Sequence, residues 1–417
     1  MRELEFQAAD WEETSLGDIC TFRGGNGFKE EYQGQLSGEF PFIKVSDLTL
    51  PGNEKYITDA QNWVSQKTLK MLRANLQPEG AVVFAKVGAA LKLNRRRILT
   101  RPTVIDNNMM AAIPDESRVD TYFLYYFMLT QDLGRFSQES AVPSVNQGHL
   151  SSIEIGLPEL PEQRKIAEIL RTWDEAIEKL EALRAAKLRR HRALTHSLVF
   201  GTRQLDRFRT TDEVAAHRWF TLPATWGTKP IGKLAREISE RNGDGEQHEV
   251  LSCSKYDGFV RSLEYFKKQV FSADLSGYKK IWRGDFGFPS NHVEEGSIGL
   301  QNLTDVGVVS PIYTVFRFAP EKVDADYAFA VLKTGLYRHI FEVSTSASVD
   351  RRGSLRWSEF SKLPFPLPSL AEQRAIAEVL RTAQTDLDAL NTEIEALTRQ
   401  KRGLMQKLLT GEWRVAV

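Results

Sequence analysis

Apolar residues along this chain keep two different periods. Over two stretches they recur with a heptad step: Ile166, Leu170, Trp173, Ile177, Leu180, Leu194 and Leu198 in the first, then Ile376, Leu380, Ala383, Leu387, Leu390, Ile394, Leu397, Leu404 and Leu408. That spacing predicts two long helices with a coiled-coil seam, broken by polar residues at Arg184, Lys187, His191 and Lys401. Glu162 to Phe200 alone would run roughly 58 Å at 1.5 Å per residue. Pro161 suits a first helical turn, Ser369 stands three residues before Glu372 as a capping box, and Gly201 and Gly411 supply left-handed stops. Elsewhere the apolar runs are short and strand-like: Gly80–Phe84 and Met109–Ile113, then Gly284–Phe288 and Tyr313–Phe318. Each set is followed by an aromatic helix candidate, Val119–Leu133 and Ala325–Phe341.

The helical stretches are copies of one another. Leu157-Pro-Glu-Leu-Pro-Glu-Gln-Arg-Lys-Ile-Ala-Glu-Ile-Leu-Arg-Thr172 returns 210 residues later as Leu367-Pro-Ser-Leu-Ala-Glu-Gln-Arg-Ala-Ile-Ala-Glu-Val-Leu-Arg-Thr382, identical at twelve of sixteen positions. The register holds without a gap from Ser144/Ser354 to Gly201/Gly411. This is a duplicated unit. The stretches between the helices correspond only loosely, through Trp11-x4-Leu16-Gly17-x-Ile19 and Trp226-x4-Ile231-Gly232-x-Leu234. The expected fold class is α+β: two mixed α/β domains joined by two long helices that form an antiparallel coiled coil, with a pseudo-two-fold internal repeat. The boundaries are placed at 1–156, 157–203, 204–366 and 367–417. One duplicated frame carries two unlike contents, so something is read twice and differently.

Composition narrows the class. With 417 residues, 41% hydrophobic and 26% charged, the chain has the balance of a globular protein with room for two domains. No apolar run reaches the length of a bilayer span and the N-terminus has no apolar signal core, so a cytoplasmic protein without membrane contact is expected. Cys20 and Cys253 stand far apart without metal-ligand spacing, which fits a reducing compartment and no metal site. The 55 basic and 55 acidic residues cancel, an argument against nucleic acid until their distribution is considered. Glu162, Glu168, Asp174, Glu175 and Glu178 crowd the start of the first helix, where they complement the helix dipole or face a partner, and they offset basic segments elsewhere.

Leu-Pro-x-Leu-x-Glu-Gln-Arg-x-Ile-Ala-Glu-x-Leu, closing an α/β domain and opening a long helix twice in one chain, resembles the specificity subunit of type I restriction–modification systems. The resemblance covers essentially the whole chain. It implies that the domains at 1–156 and 204–366 are target-recognition domains, each binding one half of a split, asymmetric double-stranded DNA target, and that the helices fix the gap between halves. It further implies two methyltransferase subunits using S-adenosylmethionine to methylate adenine, and two restriction subunits using ATP and Mg2+, with no cofactor held by this chain and no catalysis of its own.

Candidate DNA contacts follow from charge. Between Phe84 and Ile105 lie Lys86, Lys92, Arg95, Arg96, Arg97 and Arg101 and no acidic residue; a cationic cluster beside a glycine-punctuated segment suits phosphates, and Arg also grips guanine. The bland alternative is a solvated hairpin tip. The second domain offers Lys279, Lys280 and Arg283, then Arg351, Arg352 and Arg356 after Ser344-Thr-Ser-Ala-Ser348. In the first domain the matching Ser144-Val-Asn-Gln-Gly148 brings Asn146 and Gln147, amides able to pair with adenine, or simply a polar loop.

No Walker A loop, Asn-Pro-Pro-aromatic tetrad or Ser/His/Asp order is present, and Gly24-Gly-Asn-Gly27 lacks the spacing of a cofactor loop. His191 and His196 are five apart and share no helix face. Two other readings stand beside the split-target reader. A nuclease with dispersed acids and lysines predicts metal-dependent cleavage by the chain alone. A coiled-coil scaffold spacing two partner-binding modules predicts no sequence-specific DNA binding.

Overall fold

The computed structural model describes residues 7–135, 143–243, 247–345 and 354–417. The heptad stretches are two unbroken helices, Leu160–Val199 and Leu370–Leu409, each of 40 residues, or about 60 Å. Gly201 and Gly411 stop them in left-handed conformation, at φ +64° and +72°. The chain forms two compact units, Met1–Glu181 with Glu393–Val417, and Ala182–Thr392. Each unit therefore holds the start of one long helix and the end of the other. Asp174 meets Lys401 in the first unit and Lys187 meets Asp386 in the second, so within each the helix segments run antiparallel.

In the first unit a five-stranded sheet is built from β1 (Cys20–Gly24), β2 (Tyr56–Ile57), β3 (Val82–Ala85), β4 (Arg96–Leu99) and β5 (Met109–Pro114). Its order is β1-β5-β3-β4-β2, antiparallel except where β2 meets β4. The register runs Phe22, Ala112, Val82, Ile98, Tyr56 across the sheet. Phe40–Ile43 forms a smaller sheet with Trp63–Val64 and Val104–Ile105. The aromatic run becomes the helix Thr121–Thr130, capped by the Asp120 carboxylate. Its Phe123 and Phe127 join Phe22, Phe84 and Ile98 in a core that also takes Ile166, Leu170, Leu408 and Leu409 from the long helices. Full burial of such side chains is worth about 1.5–3 kcal/mol each, so the helix ends are welded to the sheet domain.

The second unit repeats the plan with β6 (Ala235–Ile238), β7 (Phe286–Pro289), β8 (Gly299–Leu300) and β9 (Tyr313–Phe318), ordered β6-β9-β7-β8. A second four-stranded sheet stacks Gly258–Arg261, Glu249–Ser254, Val306–Val309 and Lys279–Trp282 in that order. The predicted helix Ala325–Phe341 is in fact two, Ala325–Leu332 and Gly335–Ser344, because the Thr334 hydroxyl caps the second by accepting from Tyr337 N. The core gathers Phe286, Phe288, Phe316, Tyr327 and Phe341 around Leu198, Ile376 and Leu380. Along the seam Leu387, Leu390 and Ile394 are buried, whereas Trp173, Ile177, Leu180, Leu194, Leu397 and Leu404 are half-buried. No helix among the described residues is long and apolar enough to cross a membrane.

Candidate nucleic-acid interface

The Glu-Gln-Arg motif is first of all a joint. Gln163, fully buried, donates to the carbonyls of Arg118 (2.9 Å) and Pro158 (2.8 Å) and accepts from Asp120 N (2.8 Å). Gln373, equally buried, donates to Lys322 O (3.1 Å) and Pro368 O (3.0 Å) and accepts from Asp324 N (2.9 Å). Asp120 and Asp324 are the N-caps of the helices packed on each sheet. One glutamine thus ties a spacer helix to its domain in each half. The neighbouring arginines of the motif, Arg164 and Arg374, are exposed.

Two further joints differ between the halves. In the first, the Asp174 carboxylate accepts from Lys55 (2.7 Å), Tyr126 Oη (2.5 Å) and Lys401. Burial alone would raise its pKa, but the bonds from Lys401, Lys55 and Tyr126 outweigh that and hold it below the usual carboxylate range. The matching residue in the second copy is Gln384, which is exposed and bonds only Asp388 among the described residues. Likewise Glu162 receives two bonds of 2.8 Å from Arg414, whereas its counterpart Glu372 faces Gln204 where the register places an arginine. Burial pushes the Glu372 carboxyl up, and the Trp226 and Gln204 donors offset this only in part. Its Oε1 is buried without a well-formed bond among the described residues.

The basic cluster of the first domain separates on folding. Lys86 is half-buried, while Lys92, Arg95 and Arg101 are exposed. Arg96 departs from the expectation of a surface cation: at 1% exposure it donates to Asn94 Oδ1 (2.6 Å) and Gln131 O (3.3 Å) and lies over the Phe84 ring. Desolvation lowers its pKa to about 9. Arg97 is half-buried and spends its guanidinium on Arg96 O (2.7 Å) and Leu48 O (2.8 Å). Arg95 precedes β4 and stays in the turn, whereas Arg96 and Arg97 are in the strand and its pleat sends them to opposite faces. Arg101 follows the opposite end of β4, over Trp63. Lys86, Lys92 and Arg95 are therefore together and Arg101 is not with them.

Several other candidates are engaged internally. Asn146 caps a short helix by accepting from His149 N (2.9 Å), and Gln147 donates to Phe22 O (2.9 Å). Lys279 donates to Tyr313 O (2.5 Å), Lys280 pairs with Glu240 (3.5 Å), and Arg283 with Asp305 (3.1 Å) and Asn302 O (2.6 Å). Arg356 is exposed at the start of the helix Trp357–Phe360. Arg351 and Arg352 lie outside the described residues.

One end of each sheet is framed by the same backbone bonds. In the first domain Lys86 N donates to Asn108 O (2.9 Å) and Val145 N to Lys86 O (3.0 Å). In the second, Ser290 N donates to Ile312 O (3.3 Å) and Leu355 N to Ser290 O (2.9 Å). The frame matches position for position, but its side chains do not. The first rim carries exposed Arg23, Asn107 and Asn108 with Lys86, Lys92 and Arg95, and Gly25 is required because a β-carbon there would lie 2.0 Å from Asp106 O. The second carries Asn291, His292, Ile312 and Arg356. Sequence reading missed Arg23, Asn107, Asn108 and Ile312 because they lie in three separate stretches of chain, a strand end and two turns, that only strand pairing assembles.

Comparison with known proteins agrees with this architecture. Residues 8–188 match the family model of the type I restriction modification DNA specificity domain. The specificity subunit of the type I restriction enzyme MjaVIII from Methanocaldococcus jannaschii is 22% identical over 97% of this chain and 93% of its own length. The crystal structure of the S subunit of the type I system from M. genitalium superposes with a TM-score of 0.55 at 13% identity, covering 98% and 99% of the two chains. A solved structure bearing on complex assembly and conformational transition of the type I system gives 0.57 at 16% identity, over 97% and 99%. Residues 8–188 thus match one type I restriction modification DNA specificity domain, and the whole chain, itself an internal duplication, is similar end to end to specificity subunits of type I restriction–modification systems.

Proposed function

We propose that the chain reads a split, asymmetric DNA target, one half with each domain (1–156 and 204–366), and that its two long helices set the spacing between the halves. The observation carrying this reading is the pair of sheet ends with matched backbone frames and unlike side chains. Lys86, Lys92 and Arg95 supply phosphate contacts in the first domain and Arg356 in the second. Two methyltransferase subunits, using S-adenosylmethionine, and two restriction subunits, using ATP and Mg2+, carry the chemistry. The helix copies support a partner bound twice: Arg164/Arg374, Glu168/Glu378, Arg189/Arg399 and Arg192/Arg402 are identical between copies and exposed in both. Core packing demands no such identity at the surface.

Two measurements test this. Methylation mapping of DNA from cells expressing the chain with its methyltransferase is expected to show adenine methylation at one two-part motif, absent without the chain; no new methylation from a stable, active complex would favour the scaffold reading. In the same complex, Lys86→Ala/Lys92→Ala/Arg95→Ala is expected to weaken DNA binding at all sequences and to reduce the slope of log K against log salt by about 2 to 3, at roughly 0.9 per phosphate contact. Arg96→Ala is expected to act on stability rather than on that slope.

A further inference from the structure

We infer that bases are read by the framed sheet end, with Asn107 and Asn108 reading adenine in the first half-site and Ile312 packing on a thymine methyl in the second. The inference rests on the two-part DNA reading above and assigns its specificity to residues. Three observations carry it.

The first is position. β1 ends at Gly24 opposite Met110, β3 at Ala85 opposite Met109, and β4 begins at Arg96 opposite Phe84. Arg23 near the end of β1, and the turns that follow or precede the other ends, with Lys86, Lys92, Arg95, Asn107 and Asn108, all lie at one end of one sheet. Lys86 crosses to the neighbouring turn: a β-carbon on Gly24 would lie 3.3 Å from its Nζ. The only acid in these turns, Asp106, uses Oδ1 to accept from Asn108 N (2.7 Å). Asp132 also lies at this end, beside Lys92, so among the described residues the four cations Arg23, Lys86, Lys92 and Arg95 outnumber the two acids around two neutral amides, an arrangement suited to phosphate contacts flanking a base-edge contact.

The second is availability. Asn107 and Asn108 are exposed, and neither side-chain amide has a partner among the described residues. This contrasts with Asn146 and Gln147, whose amides already bond the backbone. The Asn108 main chain is nevertheless fixed on both sides, through its N–H to Asp106 and its carbonyl to Lys86. A free amide on a fixed turn has the geometry to present donor and acceptor together to adenine N7 and N6. Among the described residues, Gly27 and Gly88 nearby would meet nothing within 4 Å even with a β-carbon added.

The third is the contrast with the second domain. The backbone bond that holds Asn108 holds Ile312 in its place, and the position of Asn107 is taken by Pro311. Ile312 is 47% exposed although branched and apolar, a side chain suited to a thymine methyl and unable to hydrogen-bond a base. The shared frame explains how both rims meet DNA alike; the substituted side chains explain why the halves would read different bases.

The test uses the chain assembled with its methyltransferase and a set of duplexes in which each base pair of the mapped motif is replaced in turn. For Asn107→Ala/Asn108→Ala the expected result is a tenfold to hundredfold loss of discrimination at one or two adjacent A·T pairs of one half-site, with the other half-site read as before. Asn107→Asp/Asn108→Asp, which keeps the shape but removes the donors, is expected to lose the same adenine preference. Ile312→Ala is expected to relax a thymine in the other half-site only. Unchanged discrimination, equal weakening at every sequence, or a half-site containing no A·T pair would overturn the inference while leaving the two-part reader standing. A wild-type complex that methylates no split motif would overturn the two-part reading itself, and a collapsed variant is recognised by lost thermal unfolding and replaced by the aspartate pair.

Discussion

The two halves of this molecule are held by the same joint at Gln163 and Gln373 but not by the same lock. Around Asp174 the first half draws together a strand residue, a helix tyrosine and a lysine from the other long helix. The second half puts the exposed Gln384 there. At the other joint the first half has the Glu162–Arg414 pair, whereas the second leaves Glu372 with Gln204 and Trp226. Duplication has thus preserved what aligns each domain on its helices and relaxed what merely strengthens the attachment. The same division holds at the sheet ends, where backbone bonds are shared and side chains are not.

The largest test of that comparison is Asp174→Asn. It leaves the ammonium groups of Lys55 and Lys401 facing each other, 11% and 16% exposed, without their anion. Breaking one partner of such a buried set costs about 3 kcal/mol, so amide hydrogen exchange should accelerate throughout the first unit and not in the second. Gln384→Asn, at the equivalent exposed site, should change neither. The acid response follows from the same group. Its folded pKa is depressed, so its contribution is complete above the ordinary carboxylate value and is lost as pH falls through the lowered one. Acid should loosen the first unit in the wild type and do so less in the variant.

The glutamine joints should behave alike. Gln163→Ala and Gln373→Ala each orphan a part-buried N–H, a part-buried carbonyl and a buried one, a loss of about 2 kcal/mol. Equal destabilisation of the respective units, followed by the same exchange measurement, is the expected result. A clear inequality would mean that one joint is shared with contacts that the other lacks.

How much of this was legible in the sequence depends on whether a signal was periodic or assembled. The long helices were legible because Leu170, Ile394 and their neighbours repeat along one element, and the glycine stops because Gly201 and Gly411 end both copies alike. The break at Thr334 was hidden because its capping hydroxyl sits in an apolar run that reads as continuous. The motif glutamine was visible but not its partners, since the Asp120 and Asp324 amides lie 43 and 49 residues away in the chain. Charge was the weakest guide. Arg95, Arg96 and Arg97 are indistinguishable by composition, yet the start of the strand leaves the first at the surface and its pleat sends the next two to core and half-buried positions. The Asn107–Asn108 turn carries no charge to draw attention, and strand pairing alone sets it beside Lys86.

The smallest expected effect sharpens the comparison most directly, because it tries to convert one half into the other. Gln204 occupies the register position of Arg414, so Gln204→Arg offers Glu372 the guanidinium that Glu162 already has. A charge-assisted bond to a buried carboxylate is worth about 1.5–3 kcal/mol, and some of this is lost in displacing the Trp226 and Gln204 donors, so a gain of about 1 kcal/mol in the second unit is expected. The pH dependence fixes the sign independently. In the wild type the Glu372 carboxyl titrates above its ordinary value of 4.5, so the folded unit holds a proton that the unfolded chain has released. The contribution of this group to stability is therefore greatest below 4.5 and falls as pH rises through the raised value. With arginine present the carboxylate is favoured instead, and that fall should disappear or reverse. Denaturation of the second unit followed across this range would decide it. A variant gaining stability with its pH slope unchanged would place the arginine elsewhere, and the two halves would then differ in the geometry of the joint rather than in one side chain.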